Sequence, residues 1–245
     1  GAINGRDALN FNGSQFLTAG ANSNLNNKTY INFYMFGNVN NPSLLSLPMN
    51  LDYGVAAADA AFTGFISQSG VFSSYARKSP TTLIKTAFST SSGYNLYEGV
   101  YNKTGNQLNS QTNFSLSNTN NSVLRSALTH QEIWIGGTNS FGTQHYFMDG
   151  QIAELFIFTF VLNSAQEKIL ENYISAKYGV ATSNDMYSFQ STHGLGVIGI
   201  GRDNAGNAHT DSQGNGIVRI NSPSALGDGE YLFTGHTDVD ADLLS

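Results

Sequence analysis

The groups able to carry chemistry in this sequence are sparse, and their spacing limits what each can do. Five histidines stand at 130, 145, 193, 209 and 236 without a His-Glu-x-x-His or any paired spacing, so turn and surface positions account for them more readily than a metal. Asp238, Asp240 and Asp242 form D-x-D-x-D, the opening of an oxygen-rich calcium loop. Such a loop needs glycine at its sixth place, which Leu243 occupies, so a solvated acidic linker competes with the Ca2+ reading. Asp203, Asn204 and Asp211 offer further oxygens within a turn-rich stretch. Glu98, Glu132 and Glu154 each stand alone, whereas glycoside hydrolysis needs two carboxylates facing one cleft. No G-x-S-x-G nucleophile elbow and no cysteine occurs. Gly194, Gly196 and Gly199 match G-x-G-x-x-G by letter, but no helical pattern follows to receive a pyrophosphate, and a flexible turn explains them.

A saccharide platform needs an aromatic ring beside amide or carboxylate groups. Asn139, His145, Tyr146 and Asp149 form the candidate ligand-binding set, with Tyr94, Tyr97 and Phe141 as further rings. Core packing competes for each of them. Trp134, the single tryptophan, lies in "EIWIGG" among apolar neighbours and reads as core.

These groups must be positioned by a chain of 245 residues that is only 11% charged and 12% aromatic. Asn, Ser, Thr, Gln and Gly must then supply the polar surface, which suits turn-rich β structure. Residues 1–182 carry nine acidic and nine basic side chains, and residues 183–245 carry eight acidic and two basic, so the whole net charge of −6 falls in the later stretch. No basic patch is present to neutralise phosphates or an anionic bilayer, which argues against nucleic acid and against a membrane surface. No apolar run approaches the ~18 residues of a membrane span. The opening "GAINGRDALNF" reads as mid-protein sequence, so a larger protein with neighbouring domains is expected.

Short alternating segments, broken by Gly, Asn, Ser or Pro, predict strands near 31–36, 61–68, 71–76, 83–88, 94–101, 132–136 and 152–160. Asn12-Gly13 between alternating residues predicts a hairpin, and "SNTNN" (117–121) a polar loop tip. Both faces of "TYINFYMFGNV" are apolar, as in a strand central to a sandwich. One helical pattern follows the last strand. Ser164 is expected as its N-cap with Glu167 three residues on, Ala165, Ile169, Tyr173 and Ala176 on one face, and Gly179 as its stop. A helix of this length needs a docking surface, and the sheet it has just left is the expected one.

"GQIAELFIFTFVLNSAQEKILENYISAKYGV" (150–180) resembles the closing segment of laminin-G-like, concanavalin-A-like jelly-roll domains of bacterial secreted proteins. "NGRDALNFNGSQFLTAG" (4–20) resembles an early strand pair of that family, and "IWIGGTNSFGTQHYFMDG" (133–150) its penultimate region. Residues 197–237 resemble the stretch after such a domain in large surface proteins of Bacteroidota exported by the type IX pathway. The resemblance implies an all-β antiparallel jelly-roll sandwich over residues 1–182, closed by one short helix. An acidic, Gly-rich β region over residues 183–245 would begin a following domain or a linker. An upstream strand usual in such domains is missing, so a second segment or chain is expected to complete the sheet. The implied function is a non-catalytic binding or adhesion module of an extracellular, cell-surface protein that recognises glycan or protein through rim loops. The alternatives are an assembly module with self-association through an open sheet edge and, third, a polysaccharide-active enzyme.

Overall fold

The computed structural model describes residues 2–22, 25, 28–41, 45–52, 63–79, 82–89, 92–122, 124, 131–140, 143–214 and 218–237. In chain order the strands are β1 (Ala2–Ile3), β2 (Arg6–Asp7), β3 (Leu9–Asn12), β4 (Leu17–Asn22), β5 (Tyr30–Val39), β6 (Ser46–Asp52), β7 (Thr63–Gln68) and β8 (Val71–Ser79). They continue as β9 (Thr82–Ala87), β10 (Asn95–Asn102), β11 (Gln107–Thr112), β12 (Ser115–Asn120), β13 (Gln131–Ile135), β14 (Thr138–Ser140), β15 (Thr143–His145) and β16 (Asp149–Phe158). After α1 (Ser164–Tyr178) come β17 (Leu195–Asn204), β18 (Asn207–His209), β19 (Asp211–Gln213), β20 (Arg219–Asn221) and β21 (Glu230–His236).

Contacts divide the chain into two units, one of residues 1–2 and 7–161, the other of residues 3–6 and 162–245. The division falls at Val161/Leu162, earlier than the expected 182/183. The reason lies in α1, whose packing partners are β17 and β18, the strands that follow it.

The first unit is a jelly-roll sandwich of two six-stranded antiparallel sheets, ordered β12-β11-β10-β5-β16-β3 and β4-β13-β6-β7-β8-β9. Period-two alternation sends Ile31, Phe33 and Met35 of β5 into the space between the sheets, where they meet Met49, Leu51, Phe65 and Phe72. Phe33 and Phe65 meet edge-on at 4.9 Å, and Phe72 and Tyr97 at 4.7 Å, contacts worth about 1 kcal/mol each beyond the area they bury. The opposite face of β5 is buried too, through Asn32, Tyr34 and Phe36, as its doubly apolar pattern requires. Gly64 lets β7 lie against β6, because a Cβ there would stand 2.2 Å from the Met49 carbonyl oxygen.

Two sequence expectations change in this unit. Asn12-Gly13 is no hairpin, since β3 pairs with β16 in one sheet and β4 with β13 in the other; Gly13, at φ 83°, turns the chain between sheets and donates to the Met148 carbonyl at 2.8 Å. The "SNTNN" stretch belongs largely to edge strand β12. Its Asn118 donates to the Ala87 carbonyl of β9 at 3.1 Å, and in the core Ser74 and Ser110 hydroxyls meet at 2.6 Å, so hydrogen bonds tie the two sheets along this side. Strands β6 and β11 were not anticipated: Pro48 interrupts the Leu47, Met49, Leu51 alternation of β6, and β11 carries a single apolar residue, Leu108. Two-residue turns with both positions at positive φ, Ser69-Gly70 and Asn113-Phe114, join β7 to β8 and β11 to β12.

The second unit is built on a three-stranded sheet, β18-β17-β21, with α1 packed on it and the two-stranded ladder β19-β20 beside it. The helix N-cap is Asn163, not Ser164. Asn163 accepts from the Gln166 N–H at 3.0 Å and Gln166 Oε1 accepts from the Asn163 N–H at 3.0 Å, a complete capping box. Gly179 ends the helix in the left-handed region, as expected, with its N–H on the Ser175 carbonyl at 2.8 Å. The buried side of α1 is mixed rather than an apolar stripe, and includes Glu171 and Asn172 beside Ala165, Ile174 and Ala176. Asn172 explains this: it donates to the Lys168 and Asn184 carbonyls and accepts from the Met186 and Tyr187 N–H groups, all at 2.8–3.0 Å, so it pins the following loop to the helix. No helix among the described residues is long and apolar enough to cross a membrane.

Candidate functional site

Asn139, His145, Tyr146 and Asp149 lie on the β14–β15 hairpin, the loop after it and the start of β16. Asn139 and His145 lie on the short β14–β15 hairpin, in register with Gln144 and Thr138 respectively. The loop after it is laced by backbone bonds: Leu47 N–H to the Tyr146 carbonyl at 2.9 Å, Met148 N–H to the Gly136 carbonyl at 2.9 Å, and Gly136 N–H to the Pro48 carbonyl at 2.8 Å. Gly136 must be glycine, because it sits at φ 79° and a Cβ there would stand 2.2 Å from the Phe11 ring. Met148 is sealed in the core, and Phe147 packs at 6.3 Å from Phe16, which in turn lies 5.2 Å from Trp134.

Between these anchors Tyr146 adopts φ 60° and remains 39% exposed. A left-handed conformation at a bulky residue costs on the order of 1–3 kcal/mol and persists only where its surroundings impose it. Three residues on, Asp149 opens β16 opposite Asn12. Its carboxylate accepts from Asn40 Nδ2 at 3.1 Å, and Asn38 donates to Asn40 Oδ1 at 2.9 Å. Gln151, the next residue on the same face of β16, lies opposite Asn10 and donates to its Oδ1 at 3.4 Å. Asp149 therefore belongs to a row of planar amide groups, Asn10, Asn12, Asn38, Asn40 and Gln151, on the face of β3, β5 and β16 that points away from the core. Each amide carries donors and an acceptor beyond the bonds it makes along the row, which is the equipment for binding hydroxyl-rich molecules. The sequence reading missed these five. Their alternation with core residues (Asn10 and Asn12 about Phe11, Asn38 and Asn40 about Val39) was the available signal.

On the other sheet a second polar chain lies under Trp134. The Tyr75 hydroxyl donates to Asn50 Oδ1, Asn50 Nδ2 donates to Thr138 Oγ1 at 3.2 Å, and Trp134 Nε1 donates to Glu132 Oε2 at 3.2 Å. Asn50, Tyr75 and Thr138 are fully buried, so this chain positions the β14–β15 hairpin instead of meeting a ligand directly.

The other candidates separate. Asp238, Asp240, Asp242, His130 and Phe141 lie outside the described residues. Asp203 is spent inside the second unit: it accepts from Ser164 Oγ at 2.5 Å, Lys168 Nζ at 2.7 Å and the Tyr231 hydroxyl at 2.6 Å. These donors, Lys168 first, hold its carboxyl well below the usual range, at about 2. Asp211 pairs with Arg219, whose Nε donates to Oδ1 at 2.8 Å, and Asn204 caps its own turn through the Gly206 N–H at 3.0 Å. Among the described residues no three His, Cys, Asp or Glu side chains gather as a metal site. Gly196 and Gly199 lie in strand β17, and a Cβ on Gly199 would stand 2.6 Å from the Phe233 ring, so close ring packing and not a phosphate explains that glycine.

The two stacked sheets, their antiparallel order and the one helix among the described residues define the fold class as an antiparallel jelly-roll sandwich of concanavalin-A-like type. No protein-family model matches the chain, and no curated protein matches it. Solved structures do. The CBM40 of the Ruminococcus gnavus IT-sialidase, bound to α2,3-sialyllactose, superposes with a TM-score of 0.54 at 12% identity, over 64% of this chain and 92% of that one. A heptameric SAP-like pentraxin from Limulus polyphemus gives 0.53 at 12% identity, over 70% of this chain and 85% of that one. A mutant of the NanB sialidase from Streptococcus pneumoniae gives 0.52 at 15% identity, where the match spans 26% of the sialidase chain. At these identities the likeness establishes the fold.

Proposed function

We propose that the first unit is a non-catalytic glycan-binding module, part of an adhesion or surface protein that works outside the cell. The carrying observation is the amide row around Asp149 with the strained, exposed Tyr146 three residues away. Planar amides and a carboxylate match the alternating donors and acceptors of sugar hydroxyls, and an exposed ring supplies a stacking face. The likeness to a carbohydrate-binding module solved with sialyllactose supports the reading. Larger neighbouring domains, export by the type IX pathway and Ca2+ held by Asp238, Asp240 and Asp242 complete the proposal.

A glycan array, run with and without chelator, tests it. Asp149→Ala and Tyr146→Ala are each expected to lower binding at least tenfold with an unchanged melting temperature. Loss of signal in chelator would support the calcium assignment. An empty array together with concentration-dependent self-association would replace the binding reading by the assembly one. Polysaccharide hydrolysis abolished by Glu154→Gln would overturn the non-catalytic assignment.

A further inference from the structure

The second unit holds a cleft of about 620 Å³. It lies between β17–β18 and the loop joining β20 to β21, and Arg202, Thr210, Ser222, Ser224, Pro223 and Leu226 line it with neighbouring small residues. The loop is fixed at both ends. Ser222 N–H donates to the Thr210 carbonyl at 3.2 Å, and Gly229 N–H to the Arg202 carbonyl at 2.7 Å. Near its far end the Glu230 carboxylate accepts from the Gly227 N–H at 2.6 Å. Ser222 adopts φ 48°, a left-handed conformation that a serine holds only where its surroundings impose it. The cleft is therefore preformed.

Its polar lining is unspent. Asp228 accepts from Arg202 Nε at 2.7 Å, which orients the guanidinium and leaves its Nη edge without a protein partner among the described residues. The hydroxyls of Thr210, Ser222 and Ser224 likewise make no side-chain hydrogen bond to described residues. A guanidinium edge recognises a planar or tetrahedral oxyanion through two parallel bonds, and hydroxyls beside it suit a polyol. Pro223 and Leu226 offer apolar surface to the C–H face of a ring. The charge around the cleft limits the ligand further. Asp228 pairs with Arg202 and the Glu230 carboxylate sits on the Gly227 N–H, so one guanidinium faces two carboxylates here. A polyanion would be repelled, while a single anionic group can be held.

We propose that this cleft binds one acidic saccharide unit, its carboxylate on the Arg202 Nη edge and its hydroxyls on Thr210, Ser222 and Ser224. A cleft of this size lies within the ~300–1,000 Å³ range of small-molecule sites. The site is separate from the amide row of the first unit and does not depend on it.

The test is a nitrogen-15 NMR titration of the whole chain with glucuronic acid, glucose and sodium sulfate in parallel. Saturable shifts with glucuronic acid are expected at residues 202–227, with glucose and sulfate each at least tenfold weaker. Arg202→Gln should weaken glucuronic acid at least tenfold. Ala225→Trp, which fills the cleft and keeps the Arg202–Asp228 pair, should abolish the shifts while the melting temperature stays within a few degrees. Equal affinity for sulfate would reduce the site to an anion hole and overturn the saccharide assignment. Equal affinity for glucose, or shifts at 138–151 in place of 202–227, would overturn the role of Arg202. An unaltered titration of Ala225→Trp would overturn the cleft itself.

Discussion

At Asp203 three hydrogen-bond donors from two elements converge on one carboxylate: Ser164 and Lys168 of α1 and Tyr231 of β21. The folded pKa of about 2 lies below the unfolded value of 3.8, so the unfolded chain binds the extra proton as pH falls. The stabilisation is thus complete above about pH 4 and disappears as pH drops through the folded value. Asp203→Asn is expected to cost about 1–2 kcal/mol at pH 7 and nothing near pH 2, measured by urea unfolding across that window. A penalty independent of pH would show that shape and not charge holds the site. The position illustrates why residue type alone misleads. Asp203 looked like a metal oxygen in sequence, and only its distant donors show that its lone pairs are taken.

At the scale of elements, the helix cap is the clearest case. Ser164 and Asn163 are adjacent, both are good caps, and each has a Gln or Glu three residues on. The structure gives the cap to Asn163 because the Ser164 hydroxyl is drawn to Asp203. Asn163→Ala should therefore lower stability by about 1 kcal/mol with the pH profile of Asp203 unchanged, whereas Ser164→Ala should move that profile. Urea unfolding of both variants at two pH values separates the roles. Strands β5, β7, β8, β10 and β16 were legible because apolar residues recur along them. Strands β11 and β12 were not, since a polar edge strand makes its case through backbone pairing and inter-sheet side-chain bonds that no local pattern encodes. The amide row was not legible as a unit, because β3, β5 and β16, which bring its members together, are far apart in sequence.

For the whole molecule, the division at Val161/Leu162 carries a consequence for truncation. A chain ending at residue 182 keeps α1 but removes β17, β18 and Tyr187, and so strips the partners of Ala176, Tyr173 and Asn172. It is expected to bind a hydrophobic dye and to show no helical signal in circular dichroism although it retains α1, whereas a chain ending at Val161, which lacks α1, should bind no dye. Undiminished helical signal in the longer truncation would reverse the assignment of the helix to the second unit.

The all-β class, the central doubly buried strand and the helix with its Gly179 stop were readable from the sequence. These depend on local periodicity and backbone preference, which a short window contains. Tertiary structure alone decided that Asn12-Gly13 turns between sheets, that Asn163 caps the helix, that α1 packs on the strands after it, and that Asp203 is occupied. Each of those outcomes depends on which of several chemically competent groups lies within hydrogen-bond or packing distance, and that distance is set by segments tens of residues away.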